Sequence, residues 1–299
     1  MWTAVTLWLV IGTGVIALGA AASHAVRAGS PAWPWIAAIP GLYLALILVF
    51  TLVYFAIAWA RRAPRPASAR LGLRRALRLF RREFLAVAAS PPRMMGYRRV
   101  ERDPTPAPAS DPVLLLHGVL CNAGVWRSMK RRLAKAGIGP VYAPSYGPPL
   151  ASIDLFADQA AAKIDRILAD TGAKQVSIVA HSMGGLVARA YLRRYGGAKV
   201  RRVITIGTPH AGSVHAWLFP GMALGQLRPG NAWLEALPAP GENGSPPFVS
   251  LWSWHDSMVA PQTSARLAHG RNIEVVGVGH NALLTDPEVA KRVIEELKR

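Results

Sequence analysis

The sequence has 299 residues, of which 52% are apolar, and a formal net charge of +19 at pH 7. A chain of this length has room for one large domain or two smaller ones. Its single cysteine, Cys121, excludes an intramolecular disulfide framework. The charge is unevenly spread, since residues 1–60 contain only one formally charged side chain, Arg27.

Two long uncharged segments open the chain, at residues 2–22 and 32–60. About 20 apolar residues cross the hydrocarbon core of a bilayer as a helix, so each segment is long enough to span a membrane. Trp33 and Trp59 stand where aromatic anchors at a membrane surface are found. We therefore predict that residues 1–60 form a transmembrane helical hairpin. The alternative for the first segment is a cleaved signal peptide, although it lacks the basic start that signal peptides have.

The densest positive charge follows directly, because nine arginines and no acidic residue lie between Arg61 and Arg82. Such a run attracts nucleic acid or anionic lipid, and its position beside an apolar segment favours lipid. We therefore expect a membrane partner and no nucleic acid. Basic residues beside a span concentrate on the cytoplasmic side. The sequence thus predicts a multi-pass protein of the inner or plasma membrane with a cytoplasmic C-terminal domain.

Residues 68–88 have the pattern of a basic amphipathic helix, with apolar side chains at three- and four-residue spacing and arginines between them. This pattern fits a helix lying among lipid headgroups, and equally a surface helix packed on the following domain. Repeated prolines at 103–112 predict an extended linker. Residues 61–111 are therefore expected to be a basic segment and linker before a globular domain at 112–299.

Apolar runs and helical patterns alternate in that domain. The sequence predicts strands at 113–116, 176–180, 203–206, 248–251 and 273–276, and helices at about 126–136, 153–170, 184–194 and from Asp286 onward. Strands that alternate with helices predict a parallel sheet covered by helices on both faces. The predicted fold class is therefore α/β.

Residues 179–185 read Val-Ala-His-Ser-Met-Gly-Gly and lie between a predicted strand and a predicted helix. A nucleophile elbow places a serine on such a turn, with small residues two positions before and after it. Here these residues are Ala180 and Gly184, so alanine replaces the usual first glycine. We therefore predict that Ser182 is a nucleophile.

From Val113 to the C-terminus the sequence resembles the α/β-hydrolase lipases and esterases, especially bacterial triacylglycerol lipases. Four segments carry the resemblance, namely Leu-Leu-His-Gly-Val-Leu (115–120), Ala-His-Ser-Met-Gly-Gly-Leu-Val-Ala-Arg (180–189), Ile-Gly-Thr-Pro-His-Ala-Gly-Ser (206–213) and Gly-His-Asn-Ala-Leu-Leu (279–284). The resemblance implies an α/β-hydrolase fold and a serine carboxylic-ester hydrolase that forms an acyl-enzyme. Together with the predicted hairpin at 1–60, it predicts a membrane-anchored enzyme. The alternatives are an acyltransferase or thioesterase with the same triad, and an inactive membrane scaffold.

In this fold the acid and then the histidine follow the serine along the chain. The acidic residues between the serine and the last histidine are Glu235, Glu242, Asp256 and Glu274. Asp256 is favoured because it follows a predicted strand, at the end of the sheet where α/β sheets hold their sites. His280 also follows a predicted strand, whereas His269 precedes one. The predicted catalytic triad is therefore Ser182, Asp256 and His280, with His280 as the base and Asp256 fixing its tautomer.

Two backbone N–H groups are expected to bind the oxyanion, that of Met183 after the nucleophile and that of Val119 after the first strand. A Gly- and Pro-rich insertion with many apolar residues, at about 212–247, is predicted to be a lid or an acyl-chain groove. The alternative is a packed excursion without a role in substrate binding.

The expected substrate is a lipid or another apolar acyl ester. Neither a Cys/His spacing for zinc nor a phosphate-binding glycine loop occurs in the sequence, so we expect no cofactor and assign no metal-binding residues. Some bacterial lipases of the kind that the sequence resembles carry a structural calcium, for which the sequence assigns no ligands. Because the triad lies within 112–299, removal of residues 1–110 is expected to leave a soluble domain that keeps the triad chemistry on short esters.

Overall fold

The computed structural model describes residues 2–240 and 245–299. Two long helices open the chain, α1 (Trp2–Arg27) and α2 (Trp33–Ala60). A third, α3 (Leu73–Met95), and a short fourth, α4 (Arg98–Glu101), precede the sheet. The proline-rich stretch that follows has neither helix nor strand, because proline lacks an N–H to donate and its ring fixes φ.

The domain beyond this stretch is built on a parallel sheet. Its strands are β1 (Val113–Leu116), β2 (Val141–Tyr142), β3 (Val176–His181), β4 (Val200–Ile206), β5 (Phe248–Ser253) and β6 (Arg271–Val275). In the described part of the chain these strands form one sheet in the order β2-β1-β3-β4-β5-β6, with every neighbouring pair parallel. The predicted α/β class is confirmed.

Helices of this domain lie between successive strands, except between β5 and β6, and after the last strand. They are α5 (Arg127–Lys135), α6 (Ile153–Thr171), α7 (Met183–Tyr195), α8 (Met222–Gln226), α9 (Ala232–Glu235) and α10 (Pro287–Leu297). α10 begins as its sequence predicts, because the Asp286 side chain accepts hydrogen bonds from the N–H groups of Glu288 and Val289. Proline at the first helical position completes that start.

Side-chain alternation explains why the strands are apolar throughout. Leu114 and Leu116 of β1 pack on one side of the sheet with α6 and α7, whereas Val113 and Leu115 pack on the other with α5 and α10. All four side chains are fully buried. Full burial of one such side chain stabilises a fold by about 1.5–3 kcal/mol, so both faces of the sheet need a helical cover.

The basic segment packs directly on this domain. Ala86 and Met94 of α3 and Val100 of α4 belong to the same buried cluster as β1. The other face of α3 leaves Leu73 and Leu77 exposed, with arginines beside them. One face of the amphipathic helix thus covers the sheet domain, and the other is open to its surroundings.

The first two helices are long and apolar enough to cross a membrane. They pack on each other and on α3, yet most of their apolar side chains remain exposed, such as Ile16 at 74% and Leu46 at 60%. The core helix of a soluble domain would bury such side chains. Their exposure therefore fits an apolar environment outside the protein, as a bilayer provides.

Candidate active site

Ser182 stands on a sharp turn between β3 and α7. Its φ of 54° and ψ of −129° are rare for a residue with a side chain. The glycines that follow allow the turn, because an added Cβ at Gly184 would overlap the Leu116 carbonyl group and one at Gly185 would overlap the Thr208 side chain. The strand, turn and helix predicted around the serine are all present.

Asp256 and His280 meet at the carboxyl end of the sheet, where the loops after β5 and β6 converge. Asp256 Oδ2 lies 2.9 Å from His280 Nδ1. The other carboxylate oxygen, Oδ1, accepts hydrogen bonds of 2.8 Å from the N–H groups of Met258 and Val259. Both side chains are buried. Since Nδ1 faces the carboxylate, Nε2 is the ring nitrogen left for proton transfer.

The surroundings of His280 favour its protonated form. Burial lowers its pKa, but the charge and hydrogen bond of Asp256, together with the charge of Glu83, outweigh burial and raise the pKa above its usual 6.5. The neighbouring His181 donates from Nε2 to the backbone oxygen of His280 over 3.2 Å. Burial holds the pKa of His181 well below its usual value, so that ring is neutral and supports the loop.

Glu83 of α3 joins this site, although it was not among the site residues predicted from the sequence. It is 1% exposed. Its Oε1 accepts hydrogen bonds from Ser257 Oγ at 2.8 Å and from the backbone N–H and Nδ2 of Asn281 at 2.9 and 3.0 Å. Its Oε2 accepts a further bond from the N–H of Ala282 at 2.9 Å. The carboxylate therefore ties together the loops that carry Asp256 and His280.

The sequence does indicate that Glu83 is buried. It is the only acidic residue between Arg61 and Val100. It also lies four residues after Leu79 and four before Val87, both buried, and hence on the same helix face. A lone carboxylate on the buried stripe of an arginine-rich helix needs partners inside the protein.

The predicted oxyanion residues are Met183, which follows the nucleophile in sequence, and Val119, which borders the same cavity as the nucleophile. Met183 is the first residue of α7, so its N–H has no acceptor within the helix. Val119 lies in the loop after β1 and borders the same cavity as Ser182. That loop passes close to the serine, since an added Cβ at Gly118 would be 3.0 Å from Ser182 Cβ and 3.5 Å from its Oγ.

His117 organises this loop. Its Nδ1 donates to the Gly118 carbonyl over 2.9 Å, and its Nε2 accepts from the N–H of Tyr146 over 3.3 Å. The Tyr146 ring stacks on the histidine with centroids 3.8 Å apart. Burial lowers the pKa of His117 to about 4. The ring is therefore neutral at pH 7 and holds the loop in place through its two hydrogen bonds.

The residues rejected as triad members lie elsewhere. His269 is exposed before β6, and Glu235 is exposed on α9. Glu274 lies within β6 and accepts a hydrogen bond of 3.1 Å from Trp254 Nε1. Glu242 is outside the described residues.

A cavity of about 330 Å³ borders both Ser182 and His280. Apolar side chains form most of its wall, and they come from four parts of the chain. They include Ile47, Phe50 and Tyr54 of α2, Val87, Pro91 and Met94 of α3, Val119, and Phe219, Leu224 and Leu227 of the insertion. The sequence predicted a contribution from the insertion but none from α2 or α3.

The insertion at 212–247, of which 241–244 lie outside the described residues, is partly packed and partly open. Leu234 and Leu237 are buried in the main core, whereas Trp217 and Met222 are 62% and 65% exposed. It thus combines a packed base with an apolar rim beside the cavity. Among the described residues, no three His, Cys, Asp or Glu side chains form a group that could hold a metal ion.

Comparison with known proteins indicates the kind of fold to which this site belongs. A sequence profile for the α/β-hydrolase fold matches residues 111–238. A triacylglycerol lipase of Pseudarthrobacter phenanthrenivorans is 44% identical over 59 residues, which are 20% of this chain and 18% of that lipase. The chain thus matches less than a fifth of this curated relative's length.

Solved structures share the fold. Bacillus licheniformis lipase BlEst2 in its mature form superposes with a TM-score of 0.55 and 20% identity, covering 66% of this chain and 96% of BlEst2. Aspergillus fumigatus lipase B gives a TM-score of 0.59 at 20% identity, covering 69% of this chain and 57% of that enzyme. The domain that begins at Asp111 therefore has the α/β-hydrolase fold, and 59 residues of the chain are similar in sequence to bacterial triacylglycerol lipases.

Proposed function

We propose that the protein is a membrane-anchored serine hydrolase that cleaves carboxylic esters of lipids or other apolar acyl compounds. One observation carries this proposal. Ser182, on its strained turn, and His280, paired with Asp256 at 2.9 Å, border one apolar cavity. The matching relative is a triacylglycerol lipase and one structural neighbour is a lipase, and both support an ester substrate.

The mechanism uses only groups of this chain and water. His280 Nε2 takes the proton of Ser182 as its Oγ attacks the ester carbonyl carbon. The N–H groups of Val119 and Met183 bind the developing oxyanion. When the carbon–oxygen bond to the alcohol breaks, His280 returns the proton to the leaving alcohol. Water then attacks the acyl-enzyme by the reverse steps and releases the acid.

An ester series tests the proposal. The full-length protein in detergent should hydrolyse p-nitrophenyl esters, and it should prefer medium or long acyl chains because the cavity wall is apolar. Failure to hydrolyse an ester of any chain length would contradict the proposed function.

We also propose that α1 and α2 anchor the protein with both chain ends in the cytoplasm. The arginine cluster after α2 supports this orientation. Alkaline phosphatase needs disulfides and works only outside the cytoplasm. Fused after Arg299 it should therefore be inactive, while a fluorescent protein at that position should be bright. Phosphatase fused after Gly29, between the helices, is the matched control and should be active. An active fusion after Arg299 would place the catalytic domain outside.

Replacing Glu83 by glutamine should move the acid side of the pH–rate profile. Neutral His280 is the base, so kcat/KM rises as pH rises through its pKa. The negative charge of Glu83 raises that pKa, so Glu83→Gln should shift the rise to lower pH. The substitution leaves Asp256, His181 and His215, which also interact with His280, in place. Burial lowers the pKa of His181 and of His215.

The profile is measured as kcat/KM for p-nitrophenyl butyrate. Weakening of hydrogen bonds to a charged group should also lower the free energy of unfolding by about 2 kcal/mol. Glu235→Gln, at an exposed position of α9, is the control and should shift neither quantity. A destabilised Glu83→Gln variant with an unmoved profile would limit Glu83 to a packing role.

A further inference from the structure

Helix α2 presents two different faces. Side chains at three- and four-residue spacing face the protein, namely Ile47, Phe50, Thr51, Tyr54 and Ala58. The opposite side exposes apolar residues along the same length, including Leu46, Val49, Val53 and Trp59. A helix that meets protein on one side and lipid on the other has this distribution. The lipid-facing side of α2 extends along the same stretch of the helix as the side that forms the cavity wall.

Two polar contacts fix the inner face of α2 against the site. The His215 ring stacks on Tyr54 with centroids 4.9 Å apart, and its Nε2 donates to the Tyr54 carbonyl over 3.2 Å. Gln262 Nε2 donates to the carbonyl groups of Ala58 at 3.2 Å and Asp256 at 3.3 Å. Both His215 and Gln262 are buried. The helix is thus a fixed part of the site.

The same helix forms one wall of the cavity that holds Ser182. Ile47, Phe50 and Tyr54 line it, and a rise of 1.5 Å per residue makes this wall about 10 Å long. The nucleophile and an apolar helix of membrane-spanning length therefore share one cavity.

The rim of the cavity is apolar as well. Trp217, Leu218, Phe219 and Met222 are exposed by 43% to 65%, and Phe219 also lines the cavity beside α2. Contiguous exposed apolar surface of this kind marks a contact with a membrane or another apolar partner. Here Phe219 joins the rim to the part of the cavity wall that α2 forms.

We infer that the cavity takes the acyl chain of a membrane lipid ester that enters from the bilayer between α2 and the 217–222 rim. This inference rests on the proposed ester hydrolysis at Ser182. A long acyl chain that moves sideways from a leaflet into an apolar cavity exposes no methylene groups to water, whereas a route through solvent exposes all of them. The apolar wall that α2 contributes to the cavity and the rim, which reaches the cavity at Phe219, give such a chain an apolar path towards Ser182.

The substitution Ile47→Trp tests whether α2 forms a wall of the acyl-chain cavity. Ile47→Trp should fill the cavity and lower the ratio of kcat/KM for p-nitrophenyl palmitate to that for the acetate by about tenfold, since acyl methylenes lose their buried sites. Val49→Trp places the same side chain on the outer face, where Val49 is 58% exposed, and should leave the ratio unchanged. Equal ratios in the two variants would overturn the inference.

A second variant covers the case in which Ile47→Trp does not fold, which loss of fluorophosphonate labelling would reveal. Phe50→Ala widens the cavity, so it should move the chain-length optimum towards longer or branched acyl groups. An unmoved optimum would contradict a wall formed by α2. Absence of hydrolysis and labelling in the wild type would instead refute the proposed function itself.

Entry from the bilayer is tested in proteoliposomes that contain both the protein and p-nitrophenyl palmitate. The rate per enzyme should follow the mole fraction of the ester in the membrane and should not change when the liposomes are diluted. A rate that falls with dilution at constant mole fraction would show entry from water.

Discussion

Replacing Ser182 by alanine is expected to lower kcat for p-nitrophenyl butyrate by about 10⁶-fold, the size of this effect in other serine hydrolases. The methyl group of alanine cannot attack a carbonyl, and the remaining groups of the site supply only binding and oxyanion stabilisation. The fold should survive, because the change removes one hydroxyl at a turn that the small residues around it continue to permit. The melting temperature should therefore stay near that of the wild type.

Fluorophosphonate labelling provides the second measurement for this variant. Wild-type protein should be labelled on the peptide that contains Ser182, and Ser182→Ala should not be labelled. Ser68→Ala, at an exposed serine before α3, is the matched control and should behave as the wild type. Near-normal turnover of Ser182→Ala would place the nucleophile elsewhere in the chain.

The local parts of this site could be predicted because short-range patterns determine them. β1 is found at the predicted residues, and the elbow follows from a buried strand, a turn and small residues within ten positions. β2 was not predicted, since Val141 and Tyr142 make a strand too short to give a periodic signal. β4 begins three residues before its predicted start, because Arg201 and Arg202 interrupt its apolar pattern.

The contributions of α2 and α3 could not be predicted from such patterns. Val87 and Phe50 line the cavity together with residues more than ninety positions away, and one apolar helix face looks the same whether lipid or protein covers it. Glu83 gave a signal of burial, but its partners at 257, 281 and 282 depend on how distant loops converge.

This packing changes the expectation for removal of residues 1–110. Such a deletion takes away Glu83, which accepts hydrogen bonds from Ser257, Asn281 and Ala282. It also removes Ala86 and Met94 from a core cluster of the domain. The shortened chain would leave buried donors without acceptors beside the histidine, at a cost of about 1–3 kcal/mol each. A soluble fragment with intact chemistry on short esters is therefore no longer the expected outcome.

Asp256→Asn is the sharpest test of the assigned acid and should lower kcat for p-nitrophenyl butyrate by about 10⁴-fold, as the same change does in other triads. Asparagine is nearly the same size, so the packing should persist. Its amide cannot stabilise the imidazolium of His280, and an amide N–H facing Nδ1 would favour the wrong tautomer. The pKa of His280 should also fall, because the charge and hydrogen bond of Asp256 raise it.

The remaining activity of this variant should consequently extend to lower pH than that of the wild type. Glu274→Gln is the matched control, since Glu274 is an exposed carboxylate in β6 that bonds to Trp254. It should keep both the rate and the pH profile of the wild type. Retained activity in Asp256→Asn together with a crippled Glu274→Gln would reverse the assignment of the acid. Asp256 Oδ1 also accepts hydrogen bonds from the N–H groups of Met258 and Val259, so the substitution could disturb the loop. The circular dichroism spectrum of Asp256→Asn must therefore match that of the wild type before its lower rate is attributed to the catalytic step.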